Sequence, residues 1–132
     1  MSEEDNKALV LRYFDERWNK KNFAIVDELA PGDDHEGHKA WMAAAFAAVG
    51  NMRLTVDRVV AEDNQVVLLW TVTGLQQGEY EGVPPTGRVV TWRGLAMLTV
   101  EDGRIVDDIA FSEGFGTILL GQALQQPSPA EL

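Results

Sequence analysis

One carboxylate stands out by position. Residues 104–113 read Arg-Ile-Val-Asp-Asp-Ile-Ala-Phe-Ser-Glu, directly after Asp102-Gly103. An Asp-Gly pair accepts the positive φ of a tight hairpin, so the run is expected as a returning strand. Alternate strand residues share a face. Ile105, Asp107, Ile109, Phe111 and Glu113 then fall together, and Glu113 ends a mostly apolar face. An ionised carboxylate is costly in apolar surroundings, and burial raises its affinity for a proton. Such a group suits acid/base work near neutral pH, so Glu113 is a candidate catalytic residue. The bland alternative is a strand-end carboxylate in water. A second cluster, Asp33-Asp34-His35-Glu36-Gly37-His38, is dense in potential ligands. It lacks the ligand spacing of a zinc motif and reads as a solvated loop leading into a helix cap, so no metal is expected there.

Several elements must hold these groups. Ser2 can cap a helix whose first turn carries Glu3, Glu4 and Asp5. Leu9, Val10, Tyr13, Phe14 and Trp18 recur at helical spacing, which predicts one amphipathic helix over 4–20. Phe23, Val26 and Leu29 fit a short second helix ended by Pro31-Gly32, and an alanine-rich third is expected over 38–49. From Arg53 the period changes to two. Residues 66–73 are a near-continuous β-branched run, expected as a strand buried on both faces. A Gly/Pro-rich connection follows over 74–87. The longest strand is expected over 88–100, with Gly94 as a place for a bend. Helices first and antiparallel strands after is the pattern of an α+β domain. A bent sheet wrapped on the helices would leave a cone-shaped hollow, with Phe14, Trp18, Trp41, Phe46, Trp70, Trp92, Met97 and Phe111 as candidate lining. For most of these, ordinary core packing is the simpler use. Four tryptophans in 132 residues are many for a small core to fill without a void.

Length and composition bound the class. A chain of 132 residues makes one domain, taken as 1–132 with a frayed tail from about 125. A hydrophobic content of 45% excludes a disordered chain. A net charge of −10 argues against nucleic acid and anionic membrane surfaces, which carry the same sign. The absence of cysteine removes disulfides, thiolate metal sites and a cysteine nucleophile. The acidic start, Met1-Ser2-Glu3-Glu4-Asp5, does not read as a signal peptide, so a cytoplasmic location is expected.

Spread over nearly the whole chain are residues that resemble the SnoaL-like polyketide cyclases of the NTF2-like superfamily. Tyr13-Phe14 with the Asn19 break is similar to that family's opening helix, and Asp34-His35 to its Asp-His pair. Gly82-Val83-Pro84-Pro85-Thr86-Gly87-Arg88 resembles its Gly-x-Pro-Pro-Thr-Gly loop, the most specific match. Asp102-Gly103-Arg104-Ile105-Val106 is similar to its last turn and strand, and Leu119, Leu120 and Gln122 to its tail. Glu113 falls where the cyclases carry a catalytic aspartate. The resemblance implies a cone-shaped α+β barrel with helices on a strongly bent antiparallel sheet, usually a homodimer. It implies cofactor-free chemistry on a small hydrophobic or aromatic substrate: a carboxylate removes a proton beside a carbonyl, and the enolate attacks a second carbonyl. It also implies His35 as a proton-transfer partner, and Tyr13, Trp18, Trp92 and Arg93 as possible oxyanion donors. The chain departs from the family in carrying Glu rather than Asp at 113, in a short 35–37 segment, and in Met97 and Thr99 where relatives are more polar. The Arg-x-Asp of epoxide hydrolases of this fold is missing from 66–73, and the oxyanion pair of steroid isomerases has no clear counterpart. A non-catalytic ligand-binding or dimerising module and a dehydratase or isomerase are the other uses such a domain could serve.

Overall fold

The computed structural model describes residues 2–30, 35–114, 118–121 and 124. Helix α1 spans Glu3–Phe14 and continues as a π-helical turn, Asp15–Asn19. Helices α2 (Ala24–Leu29) and α3 (His35–Ala48) follow, then four strands, β1 (Val49–Glu62), β2 (Gln65–Gln76), β3 (Val89–Glu101) and β4 (Arg104–Ser112). The strands form one antiparallel sheet in sequence order. This is the α+β architecture that the helix-then-strand pattern predicts.

Ser2 caps α1 as its residue type suggests. Its hydroxyl accepts from Asp5 N at 3.0 Å while Asp5 accepts from Ser2 N at 3.2 Å. The single helix expected over 4–20 instead widens after Phe14, where Lys20 N reaches back to Asp15 O. A π turn of this kind holds only where tertiary contacts support it. Here Asn19 supplies them: its side chain accepts from Leu54 N at 2.8 Å and donates to Leu54 O at 3.1 Å, pairing with β1 as a strand backbone would. Helix α3 starts earlier than the expected position 38 and buries Met42, Ala45 and Ala48.

The inner face of the sheet is the core. Val66, Leu68, Trp70 and Val72 on β2 and Val90, Trp92, Ala96 and Leu98 on β3 are all buried against the helices. The expectation that 66–73 is buried on both faces is not met: Val67, Leu69 and Thr71 are only half-buried. The β2–β3 register runs through Gly94 unbroken, so no bulge lies there. A Cβ at Gly94 would collide with the Trp70 indole, so the glycine makes room for that ring.

The last strand requires the largest revision. Thr99 pairs with Asp107 but Val100 pairs with Ile105, which leaves Val106 as an extra, bulged residue. One inserted residue moves every later side chain to the opposite face. Ile105 is inward and buried, whereas Ile109 and Phe111 on the same sequence parity are exposed. The face that alternation assigns to the core is, beyond the bulge, the outer face.

Candidate active site

Between the helices and the inner sheet face lies a hollow of about 370 Å³. Its walls are Phe14, Arg17 and Trp18 from the α1 end, His38 and Trp41 from α3, and Trp70, Trp92 and Ala96 from the sheet. Tyr80 closes it from the β2–β3 connection, and Asp108, Ala110, Phe111 and Ser112 supply the β4 side. Its size is that of a small-molecule site. Trp18 is central, with Trp41, Phe46 and Trp70 rings 6.2, 6.0 and 6.3 Å away. These edge-on and stacked contacts hold the wall rigid.

The sequence motif at 82–88 contributes by position rather than by chemistry. Gln76 is wholly buried, and its carboxamide donates to Pro84 O at 3.1 Å and accepts from the Thr86 hydroxyl at 2.8 Å. Backbone bonds from Gln76 N to Arg88 O and from Gly87 N to Gln76 O complete the clamp. Gly82 and Gly87 take positive φ, 82° and 69°, which turns the chain at either end of the motif. The anchored loop holds Tyr80 at the hollow, where its hydroxyl accepts from Trp41 Nε1 at 3.0 Å.

Glu113 does not face this hollow. Its carboxylate accepts from Arg93 Nε at 2.5 Å and from Arg93 N at 3.2 Å, on the outer face of the sheet. Both side chains are well exposed, 67% for Arg93 and 41% for Glu113. The bulge at Val106 is the reason: it turns 107, 109, 111 and 113 outward and 108, 110 and 112 inward. The expectation of a hollow-facing Glu113 is therefore corrected, and with it those for Arg93 as an oxyanion donor and Met97 as lining. Met97 lies on the outer face, 40% exposed. Phe111 is mostly outside as well and touches the hollow only at its rim.

The carboxylate on the inner wall is Asp108, opposite the buried Leu98 in the register. By accessible surface Asp108 is an exposed residue, although protein crowds its carboxyl on the hollow side. That desolvation pushes its pKa up; the Arg17 charge works against the rise and the neighbouring Asp107 adds to it. The cation that answers it is Arg17, buried to 6% exposure. Its Nη1 donates to the Tyr13 hydroxyl at 3.2 Å. The guanidinium lies over the Tyr13 and Trp18 rings, 5.4 and 5.6 Å from their centroids. Burial raises the Tyr13 pKa, with Arg17 opposing, so Tyr13 stays a neutral phenol. Among the described residues, the buried donors Arg17 Nε, Trp18 Nε1 and Trp70 Nε1 meet no acceptor.

Of the residues expected as lining, Phe14, Trp18, Trp41, Trp70 and Trp92 meet in one wall. Tyr13 sits behind Arg17, and Phe46 packs behind Trp18 on Phe23. The His35 side chain and the preceding Asp33 and Asp34 lie outside the described residues, as does Gln122; His38 is the histidine that borders the hollow. Among the described residues no three His, Asp or Glu side chains converge as a metal-ligand set. Asp108 and Arg17 were missed on sequence. Asp108 carries the right residue type in the right strand but the wrong parity. Arg17 reads as a helix-surface charge, and only its spacing one turn after Tyr13 and beside Trp18 could have marked it as inward.

These features have relatives. The SnoaL-like polyketide cyclase family model matches residues 8–118, so the chain belongs to that family. Among solved structures, the chain is similar to AclR, a putative hydroxylase from Streptomyces galilaeus (26% identity, TM-score 0.80, covering 96% of this chain and 100% of that one). A SnoaL-like polyketide cyclase, also putative, from Jannaschia sp. CCS1 matches at 26% identity and TM-score 0.77, over 96% and 95% of the two chains. IdmH of Streptomyces antibioticus, another putative polyketide cyclase, matches at 27% and 0.73, over 89% and 96%. The fold is thus the NTF2-like one. A search of curated proteins gave no match. No helix among the described residues is long and apolar enough to cross a membrane.

Proposed function

We propose that this protein is a cofactor-independent acid/base enzyme that closes a ring by intramolecular aldol condensation, with Asp108 as the base. The observation that carries the reading is the carboxylate itself: Asp108 borders an aromatic-walled hollow that the buried Arg17 guanidinium also lines. In the proposed step the Asp108 carboxylate takes a proton from a carbon beside a carbonyl. The enolate carbon then attacks a second carbonyl of the same molecule, and the resulting alkoxide takes up a proton. Charge moves onto oxygen during this step. The Arg17 guanidinium borders the hollow and is the cation placed to receive it. Holding both carbonyls in one hollow supplies proximity, which can lower such a barrier by about 7–11 kcal/mol in well-oriented systems.

The substrate class is a small aromatic or hydrophobic molecule with several carbonyls, matching walls of tryptophan and phenylalanine. The reaction as written uses no cofactor. The same reading includes a homodimer formed through the outer sheet face, where Leu95, Met97, Ile109 and Phe111 are exposed together. It also keeps the protein in a reducing compartment such as the cytoplasm, consistent with a chain free of cysteine.

The test is turnover of a panel of aromatic polyketide esters by wild type, Asp108→Asn and Glu113→Gln. Loss of turnover in Asp108→Asn alone supports the assignment. Full activity of Asp108→Asn removes Asp108 as the base. The apolar character of most of the lining favours one second reading, a carrier of small hydrophobic ligands. Binding of the panel without turnover in wild type would select it.

A further inference from the structure

We infer that the ligand enters as an anion, and that Arg17 is the residue that receives its negative oxygen. The inference concerns the same hollow and rests on the acid/base reading only for the ligand being aromatic and oxygen-bearing. Arg17 carries a full charge at 6% exposure, yet it forms no salt bridge among the described residues. A guanidinium has five N–H donors and cannot shed its charge. Here one nitrogen, Nη1, donates to the neutral Tyr13 hydroxyl, and Nε, although buried, has no acceptor among the described residues. The flanking rings of Tyr13 and Trp18 offer their faces to the cation and no anion. Asp108 acts on it only through space, without a salt bridge, and a buried charge in this state is costly unless something supplies a negative oxygen in contact with it.

The neighbouring rings describe the rest of that molecule. Trp18 and Trp70 line the hollow with their rings stacked 6.3 Å apart. A planar aromatic acid, or an enol acidic enough to ionise, would place its negative oxygen at Arg17 and its ring against the indole faces. Asp108 then explains selectivity within the class. When ionised it opposes an anion, so the ligand's charge must sit at Arg17 and its acidic C–H at Asp108.

Tryptophan lines the hollow at four positions, so its fluorescence reports binding directly. The experiment titrates benzoate, 1-naphthoate and 9-anthracenecarboxylate, each against its uncharged methyl ester. Wild type, Asp108→Asn, Arg17→Met and Arg17→Lys are compared. In wild type at least one acid should bind roughly tenfold tighter than its ester, as a hydrogen bond between ions warrants. In Asp108→Asn, which has lost the proposed base, the acid should bind tighter still. Arg17→Met should erase the preference, and Arg17→Lys should retain part of it. If no acid outbinds its ester in wild type, Arg17 serves only Asp108 and the inference is overturned. It is equally overturned if the preference survives in Arg17→Met. Should Arg17→Met not fold by circular dichroism, the wild-type comparison and Arg17→Lys decide the matter. Because binding is read on protein lacking the base, failure here leaves the aldol reading standing, and failure of turnover leaves this one standing.

Discussion

Asp108 and Glu113 sit five residues apart on one strand edge and differ in everything that decides reactivity. Glu113 is exposed and ion-paired to Arg93, a pair of the sort that contributes about 0–1 kcal/mol. Glu113→Gln should therefore leave turnover within a few-fold of wild type and barely move the melting temperature. Asp108 has no ion pair among the described residues and a raised pKa. A base must be ionised to act, so kcat/KM should fall as pH drops through that value, above the ordinary 3.8. Stability should run the other way. A folded carboxyl that holds its proton more tightly than the unfolded one stabilises the fold fully below the unfolded value, and that contribution is lost as pH rises through the folded pKa. Denaturant titrations of wild type and Asp108→Asn across this window should converge at low pH and separate as pH rises, with wild type the weaker.

At the scale of elements, the site depends on two clamps. Asn19 ties the π turn that carries Arg17 and Trp18 to Leu54 on β1. Asn19→Ala should cost about 1–3 kcal/mol, since it strands a half-buried backbone pair, and should loosen the tryptophan wall enough to shift its fluorescence. Gln76 ties the 82–88 loop, and Gln76→Leu should cost a similar amount by leaving Pro84 O and the Thr86 hydroxyl unsatisfied. Faster proteolytic cleavage within 77–88 would show it. The Ser2 cap of α1 and the hairpin at Asp102-Gly103 were legible in the chain, because caps and turn dipeptides are local signals. The π turn and the Val106 bulge were not. Neither leaves a residue signature of its own, and both are set by partners far along the chain: Leu54 for the first, β3 for the second. The site residues followed the same division. Tryptophans that pack wherever the fold needs bulk were found; Asp108 and Arg17, whose direction depends on those two irregularities, were not.

For the molecule as a whole, charge and surface act against each other. Leu95, Met97, Ile109 and Phe111 form an exposed apolar strip on a sheet face that no described element covers. A chain with a net charge of −10 also repels its own copies. If the strip joins two copies, association should strengthen with salt, because screening removes the repulsion and leaves the apolar contact. Sedimentation at low and high ionic strength should show a shift from 14.6 kDa towards twice that mass, and Leu95→Asp should hold the protein at the smaller value throughout. A single species of monomer mass under all conditions would assign the strip some other use.

The extra residue at Val106 makes the closing strand a device with two settings. Straightening it, with Val106 paired to Thr99, would shift the remainder of β4 by one register position, presenting Ile109 and Phe111 to the tryptophans and sending Asp108 to the outside opposite Met97. A lineage could thus trade an acidic wall for a greasy one by gaining or losing the bulge, with no substitution anywhere in the lining. Comparisons between family members that match this strand letter by letter, without first locating its irregular pair, will assign the reactive group to the wrong side of the sheet.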